Sequence, residues 1–388
     1  VPVGVFLSGG IDSGIITAVA AAHLREKGLP LDTLSIEFED ETCSEKPYQQ
    51  AMATAAGTRH HSLLVREEDF AEAWDDIYAS LDQPTTDAVN NYFICRFARR
   101  QGIKVVLSGL GADELFGGYP SFNRTSTMQR LRQLSRLQVL RTGVAGLVLN
   151  YPARKIDFLK KRIDAGEYLT YRGLFTPADT ARLLQIPEAE VWRVLSKYRL
   201  PDRLQHMQGL INKVSVLECD IYMLGQLLKD ADMQSMWHGV ELRVPFLDND
   251  LVRFIERVPE SIKYPPGGHK TLLVNYFAGQ LPARIVKPKK QGFFFPFKVW
   301  LGRIAAFANP LLVPPQYYRS FKKGRLSPSR LWGIYVSRVY GSVKEFSRAE
   351  HLTRPTTLFM YLSAFGGTGG IEKVNRLIVQ TLQKEEAV

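Results

Sequence analysis

The sequence predicts an α/β fold, in which a doubly wound parallel sheet is followed by a largely helical second half. Short apolar runs bounded by glycine or polar residues recur through the N-terminal part and indicate buried strands. Helical stretches separate these runs, and this alternation is typical of strands that lie parallel in one sheet. Residues 124–203 are instead basic and helical, with proline and glycine breaks.

The first strand and the first helix enclose a glycine turn. Apolar residues from Val3 to Leu7 predict a short buried strand, which breaks at Ser8-Gly9-Gly10. Apolar residues then recur at helical spacing from Ile15, so that a helix is expected to open near Asp12 or Ser13. A strand, a glycine turn and a helix N-terminus present unpaired N–H groups at the positive end of a helix dipole. This arrangement predicts a phosphate site.

The remaining elements follow in order along the chain. Gly57 is the expected C-cap of the second helix, and Gly102 ends a helix that precedes the last strand. The predicted strands are Thr33–Phe38, His61–Val65 and Lys104–Leu107, and the predicted helices are Pro47–Ala56, Glu67–Ser80, Ala88–Gln101 and Leu217–Ser235. In the last helix, Leu217, Ile221, Leu224, Leu228 and Ala231 are expected to form a buried stripe.

The phosphate loop reads SGGIDS from Ser8 to Ser13. It matches neither the G-x-x-x-x-G-K-[ST] loop nor the G-x-G-x-x-G loop. It resembles the PP-loop of the ATP pyrophosphatases, which cleave ATP between the α and β phosphates. An acidic residue inside an anion site, here Asp12, is explained by an intervening cation, for which Mg²⁺ is the natural choice. The alternative is an ordinary Gly-Gly turn with a serine or aspartate N-cap.

A second glycine-rich loop follows the predicted strand that ends at Leu107. It reads SGLGADELFGGY from Ser108 to Tyr119, and its four glycines imply close approach of the backbone to a neighbour. Parallel strands end at the same edge of a sheet, so the carboxylates of Asp113 and Glu114 are expected near Asp12. Two carboxylates from neighbouring strands can share the Mg²⁺ that ATP brings. The alternative is a glycine-rich turn with solvated acids.

Charge and cysteine content limit the classes of partner. The net charge of +11 is compatible with nucleic acid, but the basic residues are spread through helical segments without interleaved aromatic residues. A solvated surface, or docking to a phosphate-rich or acidic partner, explains this charge better. Cys43, Cys95 and Cys219 are far apart and show no metal-ligand spacing, which favours reduced thiols in a cytoplasmic protein. We expect no membrane span and no zinc site.

Four motifs, in order, give the chain a resemblance to a family. SGGIDS followed by SGxGADELFGGY resembles the synthetase domain of the class B, glutamine-dependent asparagine synthetases. The segment LLKDADMQSMWHGVELRVPFLD, residues 227–248, resembles that family's LLxxxDxxSMxxxxExRxPFLD. Lys270 with Leu272-Leu273, then Leu281-Pro282 and residues 289–293, KKQGF, resemble its GxKxLL, LP and KxGF pieces. The resemblance covers residues 1 to about 301.

The resemblance implies three domain-like parts and a set of site residues. The parts are a PP-loop α/β core over residues 1–125, a helical part that completes the active site over 126–301, and a C-terminal helical extension over 302–388. Asp12 and Asp113 would ligate Mg²⁺, and Lys270 would stabilise negative charge in the transition state. The residues implied for ATP are Leu7, Ser8, Gly9, Gly10, Asp12, Ser13, Ser35 and Gly109; those implied for the substrate are Asp87, Leu110 and Arg243.

Departures from the family pattern concern the acceptor. Leu110 stands where asparagine synthetases typically carry a glutamate that matters for the substrate and the intermediate. Met233 replaces a usual arginine, and Gly225-Gln226 replace a more acidic pair. The residues implied for ATP are intact. Two further interpretations therefore stay open: a ligase acting on another carboxylate, such as an acidic sugar in polysaccharide biosynthesis or the substrate of a β-lactam synthetase, and a non-catalytic ATP-binding protein.

The family's glutaminase half is expected outside this sequence. No nucleophilic cysteine precedes the Ser8–Ser13 loop, and the first residues already form the first strand. We therefore expect ammonia to come from solution or from a glutaminase domain or subunit outside this sequence. The other expected partners are a small-molecule carboxylate and a second copy of the chain, as a homodimer, with neither nucleic acid nor a membrane.

Overall fold

The computed structural model describes two compact units. The residues it describes are 1–39, 44–81, 88–122, 166–172, 176–184, 187–197, 209–265 and 270–286, with the single residues 158, 199, 202, 204 and 207. The first unit comprises the described residues within Val1–Ser80, Ala88–Gly118 and Ala231–Trp300, and the second comprises those within Tyr119–Asp230 together with Leu81. The KKQGF piece, Asp87, Cys43 and the predicted extension 302–388 lie outside the described residues.

A five-stranded parallel sheet organises the first unit. Its strands are β1 (Val3–Phe6), β2 (Asp32–Phe38), β3 (Arg59–Val65), β4 (Val105–Leu107) and β5 (Glu241–Arg243), in the spatial order β3-β2-β1-β4-β5. All neighbouring pairs are parallel. Every residue of β2 is buried, as expected for an interior strand of a sheet covered on both faces. The sheet confirms the predicted α/β fold class.

The strand order places a switch point beside β1. The chain proceeds from β1 through β2 to β3 on one side and then returns to β4 on the other side of β1. Since crossover connections in parallel sheets are right-handed, this reversal puts helices on both faces of the sheet. The loops that follow β1 and β4 leave the sheet side by side at the reversal. Ligands of open α/β sheets bind at such a point.

The helices of the first unit fill the connections between strands. The second helix ends as predicted at Gly57, whose φ of 64° is left-handed, and Gly102 likewise has a φ of 73°. The helices are α1 (Ile11–Glu26), α2 (Lys46–Ala56), α3 (Glu67–Glu72), α4 (Trp74–Ser80), α5 (Ala88–Arg100) and α6 (Ala112–Phe116). The one helix predicted over Glu67–Ser80 was wrong in part, because the structure divides it into two at Ala73.

The helices of the second unit are short, and a π-helix follows the last of them. They are α7 (Gly166–Arg172), α8 (Pro177–Leu184), α9 (Glu188–Leu195) and α10 (Leu210–Leu217), followed by the π-helix Glu218–Leu227. The buried stripe predicted from 3.6-residue spacing is wrong at Leu224, whose exposed fraction is 54%. A π-helix has more residues per turn than an α-helix, so the stripe loses its phase within this segment.

Five helices and one 3₁₀ turn complete the described chain. They are α11 (Leu228–Trp237), the 3₁₀ turn Pro245–Leu247, α12 (Asn249–Arg257), α13 (Glu260–Lys263), α14 (Thr271–Phe277) and α15 (Ala283–Val286). In the part of the chain that the structure describes, no helix has the length and apolar character needed to span a membrane.

A buried ion pair organises the second unit, and we call it the Arg172 cluster. The Arg172 guanidinium donates three hydrogen bonds of 2.7–3.1 Å to Glu218, whose side chain is fully buried. Ser121 and Tyr168 also donate to the Glu218 carboxylate, at 2.5 and 3.2 Å. The rings of two more residues lie against the guanidinium carbon of Arg172, Tyr119 at 4.2 Å and Tyr222 at 4.0 Å.

Neither of the two cysteines in the described residues forms a disulfide bond. Cys95 is fully buried on α5, and burial raises the pKa of its thiol to about 12. It therefore packs as a small apolar residue. Cys219 is half-buried in the π-helix.

Candidate active site

The loop between β1 and α1 is held by its own serines. The hydroxyl groups of Ser8 and Ser13 lie 3.0 Å apart, and the Ser8 backbone N–H donates to Ser13 Oγ at 3.2 Å. The Gly10 N–H donates to Ser8 Oγ at 3.3 Å. No side chain caps the N-terminus of α1, a helix of 16 residues. The positive end of a long helix therefore opens onto a preformed loop, as an anion site requires.

Gly9 is required for this loop. Its φ of 85° is left-handed, and a Cβ at this position would lie 2.8 Å from Tyr48 Cβ and 3.1 Å from the Gln49 backbone nitrogen. The loop thus packs directly on the first turn of α2. A side chain at position 9 would strain the backbone and separate the loop from α2.

The loop after β4 packs against the start of α1. A Cβ at Gly109 would lie 2.9 Å from both Asp12 Cβ and the Ser13 backbone nitrogen. Gly111 has a φ of 99° and would clash with Leu247 if it carried a Cβ. The two glycine-rich loops predicted from the sequence are therefore in direct contact.

Three charged side chains meet where the two loops touch, and we call them the Lys270 cluster. Asp12 lies in the first turn of α1 and Asp113 in the first turn of α6. The Lys270 ammonium donates to Asp12 Oδ2 and lies 2.5 Å from Asp113 Oδ1. The exposed side-chain fractions are 8% for Lys270, 21% for Asp12 and 31% for Asp113. The two carboxylates can thus be reached from solvent while the ammonium is buried.

Electrostatics keeps Lys270 charged in this position. Burial acts to lower the pKa of Lys270, but the attraction of Asp12 and Asp113 and their hydrogen bonds outweigh burial and raise this pKa above its usual value. Its backbone φ of 53° is the single positive value among the non-glycine residues that the structure describes. Backbone strain of this kind costs energy and often occurs at functional sites.

Gly118 makes room for the Lys270 cluster. A Cβ at this position would lie 1.4 Å from Asp113 Oδ1 and 2.6 Å from Lys270 Cε. The Gly118 N–H also donates to the Asp113 carbonyl at 2.9 Å. Gly118 was not among the predicted site residues, although the Gly117-Gly118 pair after a short helix signals a close approach in the sequence.

Leu7 and Ser35 lie at the base of the first loop. Ser35 Oγ donates to the Leu7 carbonyl at 2.5 Å, and both residues are buried. The Leu7 N–H donates to the Leu34 carbonyl at 2.8 Å. These bonds fix the point at which the chain leaves β1 for the loop. Contact of Leu7 and Ser35 with adenosine stays a prediction.

Two of the residues implied for the substrate, Leu110 and Arg243, lie in the described part of the chain, whereas Asp87 lies outside it. Arg243 has an exposed side-chain fraction of 61% and pairs with Glu241 at 2.7 Å. Its backbone carbonyl accepts from the Ser108 N–H at 2.9 Å, so that Arg243 supports the second loop through its main chain. Leu110 is half-exposed in that loop, and its N–H donates to Ser108 Oγ at 3.4 Å.

A buried carboxyl beside the first loop was missed. Glu45 precedes α2, and its carbonyl accepts from the Tyr48 and Gln49 N–H groups. Its Oε2 is buried and has no hydrogen-bond partner among the described residues. Burial raises the pKa of Glu45 to about 8. A Cβ at Gly9 would lie 3.3 Å from the Glu45 carbonyl. No motif or periodicity in the sequence signals this residue.

The donor set fits a magnesium ion that arrives with a nucleotide. Mg²⁺ prefers oxygen ligands and is typically held by one or two carboxylates together with phosphates and water. One oxygen from each of Asp12 and Asp113 converges on a single cationic atom, the Lys270 nitrogen. No group of three or more His, Cys, Asp or Glu side chains that could hold a metal occurs among the residues described.

Comparison with known proteins gives a consistent result. The family model for asparagine synthase matches residues 1–343. Two relatives are from Bacillus subtilis. Asparagine synthetase [glutamine-hydrolyzing] 1 is 30% identical over 78% of this chain and 47% of that protein. Asparagine synthetase [glutamine-hydrolyzing] 3 is 28% identical over 75% of this chain and 44% of that protein. Asparagine synthetase [glutamine-hydrolyzing] 3 of Arabidopsis thaliana is 31% identical over 42% of this chain and 30% of that protein.

The matches cover one part of the relatives. This chain spans about half the length of the two Bacillus proteins that it matches. The family match contains both glycine-rich loops and all three residues of the Lys270 cluster. The predicted resemblance is confirmed: this chain belongs to the asparagine synthase family.

Proposed function

We propose that this chain, a ligase of the asparagine synthase family, activates a substrate carboxylate with ATP and converts it into an amide with ammonia, releasing AMP and pyrophosphate. The Lys270 cluster, placed beside the α1 N-terminus, is the observation that supports this most strongly. A helix N-terminus attracts phosphate, and a buried ammonium beside it can neutralise the charge that develops on leaving pyrophosphate.

In the first step, an oxygen of the substrate carboxylate attacks the α-phosphorus of ATP. The bond from this phosphorus to the oxygen bridging the α and β phosphates breaks, and pyrophosphate leaves with the bonding electrons. The N–H groups of the Ser8–Gly10 loop and the start of α1 would hold the departing phosphates. Magnesium, when bound through Asp12 and Asp113, would further offset the negative charge of these phosphates.

In the second step, the ammonia nitrogen attacks the acyl carbon of the adenylate. The bond from this carbon to the AMP oxygen breaks, and the nitrogen loses a proton to solvent to leave a neutral amide. The role of the chain here is to hold AMP in place, with Leu7, Ser35 and Gly109 proposed to line the adenosine pocket. Orientation of the two reactants then lowers the barrier.

The acceptor is aspartate in the first version of this proposal. The resemblance and the names of the relatives favour it. Leu110 favours a second version, in which another carboxylate, such as that of an acidic sugar, takes its place. An isobutyl side chain in the second loop can neither accept a proton nor pair with an ammonium.

Pyrophosphate release with Mg-ATP and ammonium, measured with and without aspartate, tests the proposal. Aspartate-dependent release, with asparagine and AMP as products, supports the first version. Release that depends on an acidic sugar, or on a β-lactam precursor, supports a ligase with another acceptor. Binding of ATP without turnover on any carboxylate would contradict the proposal in favour of a non-catalytic ATP-binding protein.

Ammonia supply is tested in the same assay. We propose that residues 1–388 use ammonium in solution for turnover and do not use glutamine by themselves, because they match only about half the length of the glutamine-hydrolysing relatives. A mixture with a separately prepared glutaminase domain of a family member would then restore the use of glutamine. Turnover with glutamine by this chain alone would contradict this part of the proposal.

A further inference from the structure

The Lys270 ammonium lies in the position that the proposed function assigns to a divalent cation. It donates to Asp12 Oδ2 and lies 2.5 Å from Asp113 Oδ1, so that one cationic atom already bridges the two carboxylates. A metal ion bound by the same oxygens would have to take the place of the Lys270 nitrogen. The ammonium and the metal are therefore alternatives at one site.

Among the described residues, the Lys270 ammonium is held closely between the two carboxylates. The Lys270 side chain is 8% exposed, and the Gly118 backbone lies so close that a single added carbon would overlap Asp113 Oδ1. A metal ion bound through the same two oxygens therefore requires the Lys270 ammonium to move. A buried ammonium that loses its carboxylate partners is costly unless another anion replaces them.

A nucleotide supplies that anion and a metal alone does not. The α1 N-terminus and the Ser8–Gly10 loop would hold phosphate groups beside Asp12, within the same loop contact that positions Lys270. A flexible lysine stem can transfer its ammonium from carboxylate to phosphate by side-chain rotation. Free hydrated Mg²⁺, which loses its water reluctantly, gives the ammonium no new partner.

We propose that Lys270 keeps the metal position closed in the ligand-free chain and that the triphosphate opens it by taking over the ammonium. Metal and nucleotide then each strengthen the binding of the other. Lys270, which closes the metal position in the ligand-free chain, then lies against the phosphates, where negative charge develops. The strained backbone of Lys270, φ 53°, fits a residue held by its partners in one of two arrangements. This inference rests on the proposed function, because it takes ATP as the ligand of the loop.

Mn²⁺ binding followed by electron paramagnetic resonance tests the inference without turnover. In the absence of nucleotide, Lys270→Met is expected to bind Mn²⁺ about 5-fold to 150-fold more tightly than the unchanged chain, the usual range of coupling between sites. Asp113→Asn added to Lys270→Met should remove the gained site. Lys27→Met, at the exposed end of α1, is the matched control and should leave Mn²⁺ binding unchanged.

Mn²⁺ binding by the unchanged chain also tests the inference, and this measurement does not depend on the stability of the variants. Adding α,β-methylene-ATP should tighten its binding of Mn²⁺ by a similar factor. Equally tight Mn²⁺ binding with and without this analogue would overturn the inference, as would a Lys270→Met variant that is folded by circular dichroism and gains no Mn²⁺ site. Failure of the analogue to bind at all, with Mn²⁺ or without it, would instead contradict the proposed function.

Discussion

The Arg172 cluster and the Lys270 cluster both join carboxylates to a buried cation, but they differ in exposure and geometry. In the Arg172 cluster, the carboxylate of Glu218 is completely buried and accepts from a rigid guanidinium fork. In the Lys270 cluster, two carboxylates with exposed fractions of 21% and 31% face a single ammonium. A guanidinium fork fixes its partner through parallel hydrogen bonds, whereas an ammonium is a point charge on a flexible stem.

The difference indicates which cluster can exchange partners. Glu218 is already surrounded by donors from Arg172, Ser121 and Tyr168, so that a ligand would have to replace several hydrogen bonds at once. Asp12 and Asp113 share one ammonium, and each side chain is partly exposed to solvent. The proposed function requires carboxylates that a ligand can reach, and of the two clusters only the Lys270 cluster meets this requirement.

The largest effect on stability is expected from Glu218→Gln. This change leaves the Arg172 guanidinium buried without a counter-charge, a situation that typically costs about 3–5 kcal/mol. Urea unfolding followed by circular dichroism measures the loss. Glu190→Gln, which breaks an exposed pair with Arg193, is the matched control and should cost about 0–1 kcal/mol. Equal losses in the two variants would remove the distinction drawn for the Arg172 cluster.

Asp113→Asn is expected to lower activity strongly and stability little, whereas Glu218→Gln is expected to lower stability strongly. Pyrophosphate release is expected to fall by about 10²–10³-fold, since one carboxylate of the proposed metal site and one partner of Lys270 lose their charge. The free energy of unfolding should change little, because Asp12 still pairs with the ammonium. Asp250→Asn, on a side chain that is 92% exposed, is the control for both measurements. Unchanged turnover in Asp113→Asn would refute the assignment of two carboxylates to the metal.

Gly118→Ala sharpens the comparison without removing any charge. The added methyl would overlap the Asp113 carboxylate and approach Lys270 Cε, so the carboxylate must rotate away from the ammonium. A displacement of about 1 Å in a site can cost about 10²-fold in rate, and we expect a loss of that order in pyrophosphate release. Gly279→Ala is the matched control, because a Cβ there meets nothing within 4 Å. Similar activities of the two variants would show that the cluster tolerates displacement.

The sequence was sufficient for the elements that local patterns define. The β1 strand, the Ser8–Gly10 turn and the Gly57 cap each depend on neighbouring residues, and each lies where it was predicted. The three-residue strand β5 was missed because its ends, Glu241 and Arg243, are exposed and its pairing with β4 joins distant parts of the chain. A strand of this kind forms because it pairs with a neighbouring strand, and its own residue types do not predict it.

The Lys270 cluster was accessible only through the family resemblance. Lys270 and Asp12 are 258 residues apart, and no periodicity connects them. Without that resemblance, a surface lysine at a helix start is the favoured interpretation of Lys270. The sequence also contains no signal for the mutual contact of Gly118, Asp113 and Lys270, although the glycine pair indicated close approach to some neighbour. Contacts of high sequence separation depend on the packing of the whole unit.

Glu45 extends the comparison to a carboxyl whose Oε2 is buried with no partner in the part of the chain that the structure describes. Burial raises its pKa to about 8 from the usual 4.5, so the folded chain retains a proton that the unfolded chain releases between these values. In this window the folded state binds more protons, and the free energy of unfolding must therefore fall as pH rises. Glu45→Gln keeps the shape and removes the titration. We expect it to be near neutral at low pH and stabilising by on the order of 2–4 kcal/mol above the window.

Unfolding of the Glu45→Gln variant and the unchanged chain, compared across this pH window, measures the effect as a difference that grows with pH. Glu26→Gln, on the exposed end of α1, is the matched control and should show a constant difference. A pH-independent difference for Glu45→Gln would mean that the carboxyl titrates alike in both states and finds a partner on ionisation. Glu45 would then belong with the paired carboxylates of the Lys270 and Arg172 clusters. A growing difference would instead show that a carboxyl beside the phosphate loop can be kept neutral by burial alone.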